Sequence, residues 1–274
     1  MKTWWITGAS SGLGLHMTQQ LLARGDRVVA CGRRTAPFDA LQADAGARLR
    51  VARFDITDTA ALRREVDAAF AAFGRIDVVV SSAGYGLFGA AEEVSDAQIE
   101  RQIATNLTAS IQLVRAVLPH LRAQGGGRIL QVASEGGQTS YPNFSLYHAT
   151  KWGIEGFLDA VAQEVAPFGI DVVIAEPGPT ATEFGNGLEH ATPLPAYDDT
   201  PAGEVRRAVA SGAFELKGDA ARTTAAMIQV ADAERPRRRI ALGSIAFDNI
   251  QRALHARLDD LLAQQALTLS ADRT

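Results

Sequence analysis

Cysteine is almost absent from this 274-residue chain, occurring once, at Cys31. No internal disulfide can form, and metal binding through cysteine is excluded. Cys31 closes the apolar run Val28-Val29-Ala30-Cys31 and reads as a buried structural thiol. The five histidines are scattered, so no metal site is expected. Long apolar runs are missing as well. No apolar stretch of about 18 residues occurs, which excludes a spanning helix. The first residues, Met1-Lys2-Thr3-Trp4-Trp5-Ile6, lack the layout of a secretory leader, and a cytoplasmic location is the expectation. Positive charge is not in excess either. The formal net charge of -4 gives no pull toward nucleic acid or anionic membrane, so neither is expected as a partner. The one basic run, Arg235-Pro236-Arg237-Arg238-Arg239, reads as a solvated turn.

What is present is a globular composition, 47% hydrophobic and 21% charged, in a chain long enough to bury a large core. Short apolar runs alternate with amphipathic stretches. Strands are expected at Trp4 to Thr7, Arg27 to Cys31, Leu49 to Phe54, Ile76 to Ser81, Arg128 to Val132, Asp171 to Ala175 and Arg239 to Leu242. Several are unbroken Val and Ile runs, as suits strands buried on both faces. Helices are expected at Leu13 to Ala23, Asp58 to Phe73, Ser95 to Leu121, Leu146 to Ala166 and Ser244 to Leu267. Gly25 and Gly74 stand where helices end. The alternation predicts an α/β fold, with βαβ units around a parallel sheet and helices on both of its faces. No linker divides the chain, so one domain over residues 1–274 is expected. The stretch from Pro177 to Pro201 holds five prolines and reads as a long, functional connection.

Immediately after the first strand comes Thr7-Gly8-Ala9-Ser10-Ser11-Gly12-Leu13-Gly14. Glycines at 8, 12 and 14 permit a tight turn and a close approach of backbone to a pyrophosphate, with a helix N-terminus aimed at it. At the end of the second strand a carboxylate would hold the ribose hydroxyl of NAD. This chain has Cys31-Gly32-Arg33-Arg34 instead, and paired guanidinium groups suit a 2′-phosphate. NADP(H) is therefore expected over NAD(H).

Tyr147 and Lys151 are four residues apart, on one helix face. A phenol titrates near 10, and a neighbouring ammonium favours its ionised form. Alone, such a pair is usually an exposed helix face. Ser134, at the end of the expected strand Arg128 to Val132, changes the reading, because ligands in open parallel sheets sit beyond the carboxyl ends of strands. Asn106 is a further candidate, a mid-helix amide that needs partners if buried.

Together these residues resemble the classical short-chain dehydrogenase/reductase family over almost the whole chain. The resemblance rests on Thr7 to Gly14, Asp55, Ala83-Gly84, Asn106, Ser134, Tyr147, Lys151 and Pro177-Gly178, in order. It implies a single Rossmann-type doubly wound domain with about seven parallel strands, and oxidoreductase activity. Tyr147 would be the acid–base, Lys151 would lower its pKa and hold the nicotinamide ribose, Ser134 would position the carbonyl, and Asn106 would support a proton relay. The cofactor set would comprise Gly8, Ser10, Ser11, Gly12, Leu13, Gly14, Arg33, Arg34, Asp55 at the adenine, Ile56, Ser82, Ala83 and Gly84. Pro177, Gly178, Thr180 and Thr182 would border the nicotinamide, and about 178–216 would form a mobile substrate loop. One departure stands out: the family usually has Asn-Asn-Ala-Gly where this chain has Ser81-Ser82-Ala83-Gly84.

The stretch Ser82 to Gly89 is similar to a hydroxysteroid and retinol dehydrogenase-like bacterial subgroup, a weak guide to substrate. The expected reaction interconverts a ketone or aldehyde with its alcohol. Tyr85, Leu87, Phe88, Tyr141, Phe144 and Phe184 are the expected pocket wall, with Glu135 facing either pocket or solvent. The resemblance also implies a homo-dimer or homo-tetramer built on two long helices. The alternatives are a non-catalytic NADP(H)-binding sensor or scaffold, and an epimerase or dehydratase that recycles its cofactor.

Overall fold

The computed structural model describes residues 1–213 and 215–273; Phe214, inside the expected substrate loop, and Thr274 lie outside the described residues. Seven strands form one parallel sheet: β1 (Thr3–Thr7), β2 (Arg27–Gly32), β3 (Leu49–Arg53), β4 (Val78–Ser81), β5 (Gly127–Val132), β6 (Ile170–Pro177) and β7 (Arg239–Leu242). Ten α-helices are described: α1 (Gly12–Ala23), α2 (Asp39–Ala45), α3 (Thr59–Phe73), α4 (Asp96–Ile103), α5 (Ala109–Ala123), α6 (Ser145–Val165), α7 (Pro201–Ala210), α8 (Ala220–Asp232), α9 (Ser244–Ala263) and the short α10 (Gln265–Leu269). The architecture is the expected Rossmann-type α/β fold.

Alternation along the strands sends side chains to opposite faces. Trp5, Val29, Val79 and Ile129 pack against Leu62 and Val66 of α3, Leu113 and Val117 of α5, and Ile154 and Leu158 of α6. Trp4, Ile6, Val28, Val80 and Val173 pack on the other face, against Met17 and Leu21 of α1 and Met227 of α8. Both tryptophans are fully buried. Each large apolar side chain so removed from water contributes about 1.5–3 kcal/mol, which lets the sheet stand without a disulfide.

Helix starts follow local chemistry. The Asp58 carboxylate caps α3 by accepting from Ala61 N at 2.9 Å. Ser95 and Gln98 make a reciprocal capping box on α4. Gly25 and Gly74 take φ of +92° and +70° past α1 and α3, a region that side chains disfavour.

The strand order is β7-β6-β5-β4-β1-β2-β3. The winding direction reverses between β1 and β4, and the crevice beyond their carboxyl ends is where such sheets bind ligands. The helical run from Ser95 differs from the single α-helix expected. A π-helical turn, Ala104–Thr108, separates α4 from α5 and contains Asn106. The segment after β6 is also more tied down than a free loop. Thr180–Ala181 pairs with Gly218–Asp219, and Glu189–His190 pairs with Leu87–Phe88.

Candidate active site

The glycine loop and the end of β4 meet across the reversal. A Cβ on Gly8 would lie 2.9 Å from Ala83 Cα, and one on Gly14 would strike the Gly8 carbonyl. The Thr7 hydroxyl accepts from the N–H groups of Ser82 and Ala83 at 3.0 and 3.2 Å. Ser11 takes the N-cap position of α1, yet its side chain caps no N–H. Glycine-lined space and a helix N-terminus without a side-chain cap fit the phosphates of a dinucleotide. Ser10 Oγ lies 3.0 Å from where a Cβ of Gly32 would stand, so the loop abuts the end of β2. Thr182 Cβ is 3.9 Å from the corresponding point on Gly12, which brings the segment after β6 over the same loop. Thr180 Oγ1 donates to Gly178 O at 2.8 Å, and Pro177 is the last residue of β6. Leu13 packs onto the α1 core, while Ile56 packs onto the opposite one.

Arg33 and Arg34 are exposed beyond β2, with Arg33 Nη1 4.0 Å from Asp55 Oδ2. Asp55 Oδ1 accepts from the N–H and hydroxyl of Thr57 at 2.9 and 2.7 Å. These bonds, with help from Arg33, hold its carboxyl below the usual carboxylate range.

Ser134, Tyr147 and Lys151 come together just past β5. Tyr147 and Lys151 are both buried on α6, and the ammonium lies 5.5 Å from the phenol ring centroid. Lys151 Nζ donates to Val132 O at 3.0 Å. Burial lowers its pKa to about 8, while the Glu155 carboxylate works against that fall. Burial pushes Tyr147 up to about 12; a hydrogen bond with the Ser134 hydroxyl lowers it and the Glu135 and Glu155 charges raise it. Ser134 Oγ accepts from Gly136 N at 3.1 Å, which fixes the hydroxyl oxygen and leaves its proton to donate.

His148 locks the loop behind Ser134. Its Nε2 accepts from Tyr141 N at 3.2 Å, so its Nδ1 carries the proton given to Gly136 O at 2.9 Å. Burial lowers the pKa of this ring, in keeping with a neutral imidazole. Glu135 is turned inward, away from solvent. It accepts from Asn249 Nδ2 of α9 at 3.1 Å and lies in hydrogen-bond reach of the Tyr141 phenol; burial raises its carboxyl pKa.

Asn106 does not reach Lys151 directly. Its amide accepts from Tyr85 N at 3.1 Å and donates to Tyr85 O at 2.8 Å. The serine that stands where the family has asparagine has its own solution: Ser81 Oγ donates to Ser110 Oγ at 3.1 Å, and Ser110 Oγ donates to Asn106 O at 3.2 Å. Gly84 lies against the Asn106 amide.

Phe88, Phe144 and Tyr147 form an apolar cluster with Tyr141, Leu188, Val205 and Val209. Phe184 is 40% exposed, and its ring centroid lies 5.7 Å from that of Tyr147. Leu87 faces elsewhere, into a small core with Val94 and Ala191. Leu188, Val205 and Val209 escaped sequence reasoning because α7 and the preceding loop carry no motif. Arg239 departs from the solvated turn expected of its basic run: its guanidinium binds Glu155, Asp159 and Glu176. An arginine that closes a basic run at the start of a strand offers no sequence sign of buried carboxylates brought from two other elements.

The fold and this arrangement define an enzyme-like α/β protein whose polar groups gather at the carboxyl edge of a doubly wound sheet. The family model for short chain dehydrogenase matches residues 2–192, and the chain belongs to that family of oxidoreductases. A relative from Schizosaccharomyces pombe, the uncharacterized oxidoreductase C162.03, is 30% identical over 97% of this chain and 90% of its own. The oxidoreductase BOA17 of Botryotinia fuckeliana is 37% identical over 73% of each chain. The crystal structure of a short-chain dehydrogenase from Streptomyces avermitilis superposes with a TM-score of 0.92 at 34% identity, covering 99% of this chain and 100% of that one.

Proposed function

We propose that the protein is an NADP(H)-dependent oxidoreductase that interconverts a ketone or aldehyde with its alcohol, using Tyr147 as the acid–base group. The observation that carries this reading is the convergence of Ser134, Tyr147 and Lys151 past β5, with Tyr147 held as a protonated phenol by burial. A protonated phenol is the form a reduction requires as proton donor.

The bound nicotinamide cofactor would supply or accept the hydride. Gly8, Ser10, Ser11, Gly12, Leu13 and Gly14 would hold its phosphates, and Arg33 and Arg34 the 2′-phosphate. Asp55, Ile56, Ser82, Ala83 and Gly84 would flank the adenosine side, and Pro177, Gly178, Thr180 and Thr182 the nicotinamide side. The chain's own work is polar. The Ser134 hydroxyl donates a hydrogen bond to the substrate carbonyl oxygen, and Tyr147 Oη donates the second and then its proton. The Lys151 ammonium stabilises the phenolate left behind, which burial alone would disfavour. Asn106 keeps the Tyr85 turn in place beneath the pocket. In the alcohol-oxidising direction the same groups run in reverse.

Tyr85, Phe88, Tyr141, Phe144 and Phe184 would line the substrate space, while Leu87 packs in the small core with Val94 and Ala191. The functional unit would be the whole of residues 1–274, with 178–216 as the substrate segment. Pairing through α4, α5 and α6 would give a homo-dimer or homo-tetramer.

The test is a panel of ketones, aldehydes and alcohols followed by NADPH absorbance, with NADH in parallel. Tyr147→Phe should bind NADPH normally and lose at least about a thousandfold in turnover. Substantial residual turnover, or NADPH binding without turnover on any substrate by the parent chain, would overturn the proposal.

A further inference from the structure

Tyr147, Lys151, Glu155 and Asp159 are spaced four residues apart on α6; the first three are buried and Asp159 is half-exposed at the edge of the same side. The first two belong to the site described above. The third is the unusual one, because Glu155 is 2% exposed, beside a buried lysine. Its Oε2 takes an ion pair from Arg239, whose Nη1 also lies 2.8 Å from Glu176 Oε1 and whose Nη2 lies 2.5 Å from Asp159 Oδ2. Gln138 Nε2 donates to the same Glu176 oxygen at 2.7 Å. The other oxygen of Glu155, Oε1, is buried with no hydrogen-bond partner among the described residues. Gly137 makes room for it, since a Cβ there would collide with Glu155 Oε1.

Such an arrangement is costly if it only supports the fold. Two buried carboxylates share one guanidinium, and an unsatisfied carboxylate oxygen carries a desolvation penalty. What this placement does supply is negative charge one helical turn beyond Lys151.

We propose that Glu155 is a positioning residue for the reaction: it keeps Lys151 in its ammonium form, acting along α6 from a carboxylate cluster clamped by Arg239. The proposal rests on the reading of Tyr147 and Lys151 given above.

The surroundings of Lys151 support the direction. The groups that face it or its partners are Tyr147, His148, Glu155 and Asp159 of α6, Ser134, Glu135 and Gln138 of the loop after β5, Glu176 of β6 and Arg239 of β7. His148 is committed to Gly136 O and Tyr141 N, and Glu135 to Asn249. Glu176, Asp159 and the Oε2 of Glu155 all pair with Arg239, and Glu155 differs in keeping its Oε1 without a hydrogen-bond partner among the described residues. Burial lowers the Lys151 pKa to about 8, and Glu155 is the charge that raises it again. Burial and the Glu176 charge in turn raise Glu155 above the usual carboxylate range, against the pull of Arg239. The lysine and the glutamate therefore titrate as linked groups.

The test exploits the scarcity of lysine. The chain has three, Lys2, Lys151 and Lys217, so 13Cε-lysine NMR gives three resonances to follow with pH. In the parent protein the Lys151 resonance should show two inflections, its own and a lower one from Glu155. In Glu155→Gln the lower inflection should vanish and the Lys151 midpoint fall by about one pH unit. Glu155→Asp should keep the midpoint near the parent value. Reductive kcat/KM of Glu155→Gln should stay within about twofold of the parent at pH 6 and drop about tenfold at pH 9.

A single inflection in the parent chain, an unmoved midpoint in a folded Glu155→Gln, or an equal loss of kcat/KM at both pH values would overturn the proposal. Should Glu155→Gln fail to fold, the inflections of the parent resonance decide. An active Tyr147→Phe would instead overturn the functional reading and leave the charge linkage standing.

Discussion

Asn106 and Tyr85 are joined by a closed pair of hydrogen bonds, amide side chain to backbone, at 3.1 and 2.8 Å. The pair ties a π-helical turn to the loop leaving β4. Asn106→Ala removes the partner of the Tyr85 N–H and leaves the Tyr85 carbonyl with its second donor alone, Gln102 Nε2 at 3.1 Å, and should cost about 1–2 kcal/mol. Asn106→Asp keeps the acceptor but sets an oxygen against Tyr85 O, and should be at least as damaging. Urea unfolding gives the cost, and faster hydrogen exchange at the Tyr85 amide would locate it. Exchange unchanged from the parent would show that the pair does not hold the loop.

Cofactor choice should turn on Arg33 and Arg34. Both guanidinium groups are exposed beyond β2, and no carboxylate follows that strand directly. Arg33→Asp should weaken NADPH binding by about tenfold or more and leave NADH binding nearly unchanged. Titration of the two cofactors by fluorescence checks this, and equal losses for both would refute the assignment.

The pH dependence of reduction should show one limb above neutrality. Tyr147, at about 12, keeps its proton throughout the working range. Lys151, at about 8, loses its charge as pH rises, and with it the stabilisation of the phenolate. Reductive kcat/KM should thus hold steady below pH 8 and decline about tenfold per pH unit above it. Initial rates between pH 6 and 10 would check the profile.

Lys151 should also be expensive for the fold. An amine whose pKa falls on folding is bound more weakly to its proton in the native state. The cost is fully present below the folded value of about 8 and relieved as pH rises toward the ordinary lysine value of 10.5. That interval corresponds to about 3 kcal/mol, offset in part by the bond to Val132 O. Lys151→Met should therefore raise stability by about 2 kcal/mol at pH 7 while abolishing turnover. Thermal melts at pH 7 and pH 10 should show the gain shrinking at the higher pH.

Much of the frame was legible because the governing signals are local. Valine runs mark β4 and β6, Asp58 and Ser95 announce helix starts, and glycines after β1 mark the loop into α1. The π-turn around Asn106 was not legible, since inserting one extra residue in a helical turn leaves the apolar pattern nearly intact. Leu87 was drawn toward the pocket by its aromatic neighbours, but strand alternation turns it to the opposite side from Phe88. Glu155, Glu176 and Arg239 were hidden for a different reason. A charged residue reads as solvated until its partners are known, and these partners lie 21 and 63 residues away from Glu176 along the chain.

The bond between Asn249 and Glu135 spans 114 residues. It means that the wall beside Ser134 is finished by a helix that leaves the ribosome after every strand of the sheet. During synthesis, the sheet can assemble while Glu135 is still open to water, and only the arrival of α9 seals it. A nascent or proteolysed chain lacking that helix would have the glycine loop and Tyr147 in place and a leaking wall around them, a species that, on the proposed function, would take up cofactor before it could discriminate among substrates.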